Sequence, residues 1–114
     1  MDLKALSYTD WNSIQVAQIA IHEWANKTFP GRAPKASLNK LVMEEIPELL
    51  THLKEHGVEG IGEELADCFI LLLDLAEIWG VNLPKAIQRK MLKNVGRGWV
   101  KDADTGFYNH VENT

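Results

Sequence analysis

The stretch that decides the fold is residues 40–80, KLVMEEIPELLTHLKEHGVEGIGEELADCFILLLDLAEIWG. Its two halves predict helices, joined by a short glycine-containing connection at residues 57–62. Successive helical residues lie about 100° apart, and on that projection the first half has one apolar face. The members of that face are Leu38, Leu41, Val42, Ile46, Leu49 and Leu53. Because the connection is short, the two helices are expected to be antiparallel neighbours.

Carboxylates interrupt the apolar faces of both helices. Glu45 falls inside the first face, Glu48 lies at its edge, and Glu44 points further out. Glu64 lies among leucines of the second helix, and Asp67 lies on a side bounded by isoleucines. An ionised carboxylate that is removed from water needs a partner, or it takes up a proton. Few bases are nearby, so four of these acids (all but Glu44) favour a bound cation, and oxygen ligands prefer Mg²⁺ or Mn²⁺.

Length and composition indicate a globular protein. The 114 residues predict a single domain over residues 1–114, with a core at about 9–99 and a tail at 100–114. The net charge of −4 gives no electrostatic signature for duplex nucleic acid or an anionic membrane. The single cysteine excludes an internal disulfide. We find no signal-peptide pattern and no apolar stretch long enough to span a bilayer, so a cytoplasmic location is expected.

The predicted first helix runs from a cap at Thr9 or Asp10 to about Lys27. Gln18 and Trp24 fall on one side of it. This pair has two interpretations: Trp24 packs in the core with Gln18 at its margin, or both form the wall of a pocket for a flat, hydrogen-bonding ligand such as a nucleobase. In the following loop, Arg32 and Lys35 are candidate phosphate contacts, although lone basic residues in loops are usually solvated.

The second and third helices carry the acids. Ser37 is the predicted cap of the second helix, and Pro47 is expected to kink it between two carboxylates. The third helix, residues 63–79, is apolar nearly all round, which requires neighbours on most sides and predicts a dimer or higher oligomer. Asp74 lies in apolar company there, so it is either hydrogen-bonded structurally or directed into a ligand pocket.

A fourth helix is predicted from Asn82 to Gly96, with Pro84 in its first turn. Lys90, Asn94 and Arg97 follow at helical spacing and would share a face able to hold phosphate oxygens. The alternative is a solvated basic face that suits the helix dipole. The tail contains a DADTG turn and either packs on a neighbour or forms a short hairpin.

The complete pattern resembles the MazG-like family of all-α nucleoside triphosphate pyrophosphohydrolases. Its signature is EExxE, a spacer, ExxD, and a downstream K-xxx-N-xx-R segment, and the resemblance covers residues 11–99. HEWANKTFPGR at residues 22–32, followed by EEIPEL at 44–49, is most similar to the compact phage and bacterial dATP/dGTP pyrophosphohydrolases. Many relatives have glycine at the position of Pro47, but every acidic position is filled. The signature residues here are Glu44, Glu45, Glu48, Glu64, Asp67, Lys90, Asn94 and Arg97.

The resemblance implies a four-helix bundle completed by oligomerisation, as a homodimer or homotetramer. It implies that two or three Mg²⁺ or Mn²⁺ ions bind Glu45, Glu48, Glu64 and Asp67, with Glu44 and Glu45 as the catalytic residues. Glu44 would either lie just outside the metal ligands or help to orient water. The triphosphate would contact Lys40, Lys90, Asn94 and Arg97, and the base would contact Gln18 and Trp24. Asp74 is a further candidate substrate contact from its place in the helix.

The implied reaction is hydrolysis of a (deoxy)nucleoside triphosphate to monophosphate and pyrophosphate, with dGTP or dATP as the favoured substrate. A pyrimidine enzyme acting on dUTP or dCTP is one alternative, because base pockets diverge within such families. A non-catalytic helical interaction module, whose acids form surface salt bridges, is another. Acids placed inside apolar faces favour the enzyme, because an interaction module has no need for them there.

Overall fold

The computed structural model describes residues 14–111, and the predicted cap at Thr9 or Asp10 lies outside them. The described residues form four helical rods and one hairpin, which confirms the predicted all-α fold. The elements are α1 (Ile14–Thr28), α2 (Pro34–Lys40), a π-helical turn (Leu41–Glu45), α3 (Ile46–His56), α4 (Ile61–Ile78), α5 (Leu83–Val95), β1 (Trp99–Lys101) and β2 (Tyr108–His110). Because α2, the π turn and α3 follow one another without a break, they make up the second rod.

The chain divides into two compact units between Leu83 and Pro84. In the first unit, α4 packs against α1, α2, the π turn and α3. Its core is formed where Ala17 and Ile21 of α1, one turn apart, meet Leu73 of α4. The small side chain of Ala17 leaves room for the larger ones. Helix α4 is therefore the central element of this unit, as its sequence predicts.

The second rod begins earlier than expected. Ala33 is the residue before its first turn, with an extended backbone and no side-chain capping bond, and Pro34 occupies the first turn. The prediction that Ser37 caps this helix is therefore wrong. Proline at the first position of a helix has a suitable φ and lacks only an N–H that would have no helical partner anyway. This backbone preference explains the earlier start.

The π turn lies immediately before Pro47. The N–H of Ile46 donates to the carbonyl of Leu41, five residues earlier, in place of the usual four. In a regular α-helix, the ring of Pro47 would collide with the carbonyl of Met43 and remove its hydrogen bond. The wider turn moves the backbone at this point. The sequence therefore located the irregularity correctly, and its form is a π turn that contains Glu45.

Glycines set the ends of the connection between α3 and α4. Gly57 follows α3 with φ 65° and ψ −141°, and its N–H donates to the carbonyl of Leu53. Gly60 precedes α4 in the left-handed conformation, with φ 73°. Helix α4 consequently starts at Ile61, two residues before the predicted Glu63. The predicted end of α3 at Gly57 is confirmed.

Several large apolar side chains of α4 are exposed in the single chain. Leu65, Phe69 and Leu72 are each at least two-fifths exposed, as is Trp79 directly after the helix. Leu73 and Leu75, on either side of these residues around the helix, are buried. This is the all-round apolar character expected from the sequence. Within residues 14–111, no helix has the length and hydropathy needed to cross a membrane.

The second unit contains α5 and an antiparallel hairpin in which Trp99 pairs with His110. The hairpin turn is held by Asp102, whose carboxylate accepts hydrogen bonds from the backbone N–H groups of Asp104 and Thr105 at 2.8 and 3.0 Å. These bonds, that from Thr105 first, lower the pKa of Asp102. Of the two interpretations of the tail, the structure has the hairpin.

Replacing Gly57 by alanine should lower the free energy of unfolding by about 1–3 kcal/mol, because its backbone conformation is nearly restricted to glycine. A Cβ at Gly57 meets no atom within 4 Å, so the loss would come from backbone strain alone. Gly62→Ala is the matched control, since a Cβ there also meets nothing within 4 Å and φ is not positive. Helix propensity predicts that Gly62→Ala is neutral or stabilising by up to about 1 kcal/mol. Urea denaturation measures both; equal effects would contradict the strain argument.

Candidate active site

The four predicted metal ligands lie on the π turn, α3 and α4, and their burial differs. Glu45, on the π turn, is buried at 8% exposure. Glu64 is partly buried, while Glu48 and Asp67 are exposed. The expectation that Glu45 falls inside an apolar face is confirmed.

The charges of the four acids affect the pKa values of neighbouring groups. The pKa of Glu48 is raised, first by the charge of Glu45, then by burial and the charge of Glu64. The pKa of the Cys68 thiol is raised chiefly by burial and, in decreasing order, by Glu45, Asp67, Glu64 and Glu48. A single thiol on α4 is therefore within electrostatic reach of all four carboxylates. Glu48 and Glu64 also line one surface cavity, and the grouping of all four acids around one ion stays a prediction.

Lys40 is the main base found beside these acids. Its Nζ lies 3.4 Å from Glu44 Oε2 and 3.4 Å from Glu45 Oε1, and hydrogen bonds to Glu44 and then Glu45 raise the pKa of the amine. The other oxygen of Glu45, Oε2, is buried and has no hydrogen-bond partner among the described residues. One ammonium group therefore compensates the acids only in part.

This donor set fits a hard divalent cation. A buried carboxylate oxygen without a partner is costly unless a positive group reaches it. Across residues 14–111, no three histidine, cysteine, aspartate or glutamate side chains are already arranged as a ligand set. The exposed acids Glu48 and Asp67 can close on an ion through rotamer changes, while Glu45 is fixed by burial. The residues fit Mg²⁺ or Mn²⁺, and their assignment as ligands stays a prediction.

A histidine that the sequence did not single out lies beside the acids. His52 lines a surface cavity of about 490 Å³ together with Glu48 and Glu64. Its Nε2 lies 2.6 Å from the carbonyl of Glu59, which accepts the Nε2–H, and its Nδ1 lies 3.8 Å from Glu64 Oε1. The sequence could have indicated His52 through its spacing, because it follows Glu48 by one helical turn.

Trp24 lies on a second, largely apolar cavity of about 280 Å³. It is 42% exposed among the described residues, so it is not a core residue. The ring of Phe29 meets it edge-on, with centroids 5.4 Å apart. Arg32 and Asp74 contribute polar groups to the same cavity. Of the two interpretations of Trp24, the structure favours the pocket wall.

The expectation that Gln18 shares this pocket is not met. Its side chain is 1% exposed, and its Nε2 donates to Glu77 Oε2 and to the carbonyl of Val81, both at 2.8 Å. Both partners are acceptors, so the amide cannot be reversed without losing both bonds. Gln18 therefore joins α1 to the end of α4. Helical spacing placed Gln18 on the inward side of α1, but it did not reveal that Glu77 and Val81 are its partners.

Asp74 has both features that its sequence position suggested. Its oxygens bind Arg32, with Nε to Oδ2 at 2.8 Å and a terminal nitrogen to Oδ1 at 2.6 Å, and Oδ1 also lies 2.9 Å from His22 Nδ1. It also lines the cavity beside Trp24. Its substrate contact stays a prediction. The guanidinium of Arg32 is engaged by Asp74, so the structure does not favour Arg32 as a phosphate contact.

The three downstream polar residues do not all belong to one helical face. Lys90 and Asn94 lie on α5, but this helix ends at Val95, and Arg97 lies in the turn that follows. The N–H of Arg97 donates to the carbonyl of Asn94 at 3.3 Å, and the Trp99 indole donates to the same carbonyl at 2.9 Å. The expectation of a continuous helical face through Arg97 is wrong. Phosphate binding by these residues stays a prediction.

Comparison with known proteins gives consistent matches. The family model described as MazG nucleotide pyrophosphohydrolase domain matches residues 33–98. A dATP/dGTP diphosphohydrolase of Cyanophage S-2L is 37% identical over 94 residues, covering 82% of this chain and 84% of that protein. A dATP/dGTP diphosphohydrolase of Salmonella phage PMBT28 is 35% identical over 99 residues, or 87% of this chain, which spans only 32% of that relative.

A solved structure is also similar. It is the Cyanophage S-2L MazG-like pyrophosphohydrolase bound to dGDP and three catalytic Mn²⁺ ions per active site. The TM-score is 0.73 with 34% sequence identity, and the match covers 88% of this chain and 98% of that chain. Fold and sequence thus identify the same group of proteins.

Adding MnCl₂ should raise the melting temperature, because an ion that binds only the folded state stabilises it. Glu48→Gln should shrink that shift. In EDTA, the same variant should melt at or above the wild-type temperature, because repulsion from Glu45 is removed. Glu59→Gln is the control and should keep the full shift, because Glu59 is an exposed acid that does not line the cavity of Glu48 and Glu64. An Mn²⁺-induced shift in Glu48→Gln equal to the wild-type value would contradict the ligand assignment.

Proposed function

Because the chain belongs to the MazG nucleotide pyrophosphohydrolase family, we propose that it hydrolyses dGTP or dATP to the monophosphate and pyrophosphate. The observation that carries the proposal is Glu45, whose Oε2 is buried without a hydrogen-bond partner among the described residues and whose charge raises the pKa of Glu48. The purine preference is supported by the names of both phage relatives and by the dGDP bound to the similar structure.

Glu45, Glu48, Glu64 and Asp67 would hold two or three Mg²⁺ or Mn²⁺ ions. When bound, such ions neutralise phosphate charge, lower the pKa of a bound water and stabilise in-line displacement at the α-phosphorus. The chain contributes a cage whose fixed member is Glu45 and whose adjustable members lie on α3 and α4. No covalent nucleophile is needed. The three Mn²⁺ ions of the similar structure support this assignment.

Glu44 and Lys40 complete the proposed reaction site. Glu44 is exposed and lies 3.4 Å from Lys40, so its carboxylate can accept a hydrogen bond from water and orient it. Lys40 now neutralises part of the charge of Glu45. A cation at the acids would take over that role and leave the ammonium of Lys40 for a phosphate oxygen. Lys90, Asn94 and Arg97 are proposed as further phosphate contacts from the sequence pattern.

We further propose that the chain forms a homodimer or homotetramer through α4. Exposed Leu65, Phe69, Leu72 and Trp79 give this helix more apolar surface than a monomer usually leaves in water. Burying such side chains against a second copy is favourable by roughly 25 cal/mol per Å² of apolar area. A second copy would thus supply the neighbours that the single chain lacks.

Pyrophosphate release should occur with dGTP or dATP and Mn²⁺, and fall below detection in Asp67→Asn, because loss of a metal-binding carboxylate removes charge compensation at the phosphates. A screen of all common dNTPs and NTPs with coupled pyrophosphate detection measures this. Glu59→Gln should retain wild-type turnover, since Glu59 lies outside the cavity of Glu48 and Glu64, and circular dichroism should show Asp67→Asn to be helical. Strong turnover of dUTP or dCTP alone would replace the purine assignment by the pyrimidine one. Wild-type activity in Asp67→Asn would refute the metal assignment.

Light scattering coupled to size exclusion should give the wild-type mass of a dimer or tetramer. Leu72→Glu should shift it toward the monomer, because a charge cannot be buried in an apolar contact without a partner. Val58→Glu is the control, since Val58 is a 78% exposed loop residue outside α4. A monomeric wild type, or an unchanged mass in Leu72→Glu, would contradict the proposed interface.

A further inference from the structure

A closed ring of hydrogen bonds joins the loop after α1 to helices α1 and α4. Arg32 binds both oxygens of Asp74, and His22 Nδ1 lies 2.9 Å from Asp74 Oδ1. Asn26 Nδ2 lies 3.1 Å from His22 Nε2, and Arg32 donates to Asn26 Oδ1 at 2.9 Å. Three side chains within residues 22–32 thus connect in a circle with Asp74, which lies 42 residues beyond Arg32.

The chemistry of the ring allows one pattern of donors and acceptors. Asp74 can only accept, so His22 donates from Nδ1 and its Nε2 is left to accept from the Asn26 amide. The Asn26 oxygen then accepts from Arg32, and every member is satisfied. The 3.3 Å approach of an Arg32 nitrogen to His22 Nδ1 brings two donors together, so it is not a hydrogen bond in this pattern. Each side chain therefore has one orientation.

Burial gives this ring more strength than a surface ion pair. Asp74 is 4% exposed, and the Arg32 side chain is 14% exposed. Exposed ion pairs contribute little, but removing one partner of a buried pair leaves a charge without compensation. A bidentate arginine also fixes direction, which a lysine at the same place cannot do. The ring is therefore a rigid attachment of the loop to α4.

The attached loop supplies one wall of the Trp24 cavity. Phe29 packs edge-on against Trp24, with ring centroids 5.4 Å apart, and the Arg32 N–H donates to the Phe29 carbonyl at 3.4 Å. Arg32 and Asp74 lie at the cavity as well. An apolar cavity with two aromatic rings and a few oriented polar groups suits a flat heterocycle. The position of Phe29 thus depends on where Arg32 is anchored.

We propose that Arg32 is a positioning residue: anchored by Asp74, it holds Phe29 against Trp24, so that the two rings form the aromatic wall that the purine base of the substrate contacts. This inference rests on the proposed function, and it names the residue that sets base discrimination. It also separates Arg32 from the phosphate-binding residues, because its guanidinium nitrogens are committed to Asp74 and Asn26.

The test compares kcat/KM for the preferred purine dNTP with kcat/KM for dCTP. Arg32→Lys keeps the charge but loses the bidentate geometry, so the purine-to-dCTP ratio should fall by about tenfold or more, mainly through KM for the purine. Phe29→Leu should lower the same ratio without touching the ring. Lys27→Ala, an exposed basic residue at the end of α1, should leave the ratio at the wild-type value.

Each outcome decides the matter. In Arg32→Lys that is folded by circular dichroism, an equal fall for all dNTPs indicates a phosphate contact and overturns the inference, as does an unchanged ratio. If Arg32→Lys does not fold, the ratio in Phe29→Leu decides in the same way. If the wild type hydrolyses all dNTPs without base preference, the inference about Arg32 is overturned, while the proposed pyrophosphohydrolase activity stands. A wild type that releases pyrophosphate from no dNTP overturns the proposed function as well.

Discussion

The central constraint on this structure is negative charge that is only partly compensated between the π turn, α3 and α4. Glu45 is buried with one oxygen against Lys40 and the other without a partner, and its charge opposes the ionisation of Glu48. Such an arrangement lowers the stability of the free protein unless a cation is present. The fold maintains it because the apolar contacts of α4 supply stability elsewhere. A binding site for a divalent ion is the arrangement that explains this cost.

The π turn contains the buried acid of the second rod. A uniform helix of 100° steps would keep residues before and after Glu45 on one continuous face. Ile46 and Leu53, which the sequence places on one apolar face with Leu41, are 39% and 43% exposed in the single chain, and Leu38, before the turn, is 40% exposed. Along the π turn, only Leu41 and Glu45 are buried. The apolar face of the second rod is therefore only partly covered in the single chain, and Glu45 lies at its covered part.

Local sequence signals predicted the elements, and long-range contacts determined the details of the site. Periodicity and glycine positions located the helices, and apolar company identified Glu45 as buried. Gln18 was placed on the correct helix, but its partners lie 59 and 63 positions further along the chain, so helical spacing could not reveal them. The ring around Asp74 likewise joins residues 42 and 52 positions apart. The predicted helical face shared by Lys90, Asn94 and Arg97 was wrong for a local reason, because α5 ends at Val95.

Asp74 and Glu45, the most deeply buried acids within residues 14–111, show why burial alone does not identify a metal ligand. Asp74 is 4% exposed, and its oxygens are occupied by a guanidinium and an imidazole N–H, so its charge is balanced within the chain. Glu45 is 8% exposed and retains an oxygen that nothing in the described residues satisfies. A cation would gain little at the first and much at the second. The difference in compensation assigns Asp74 to holding the loop and Glu45 to binding an ion, although both acids lie in apolar surroundings.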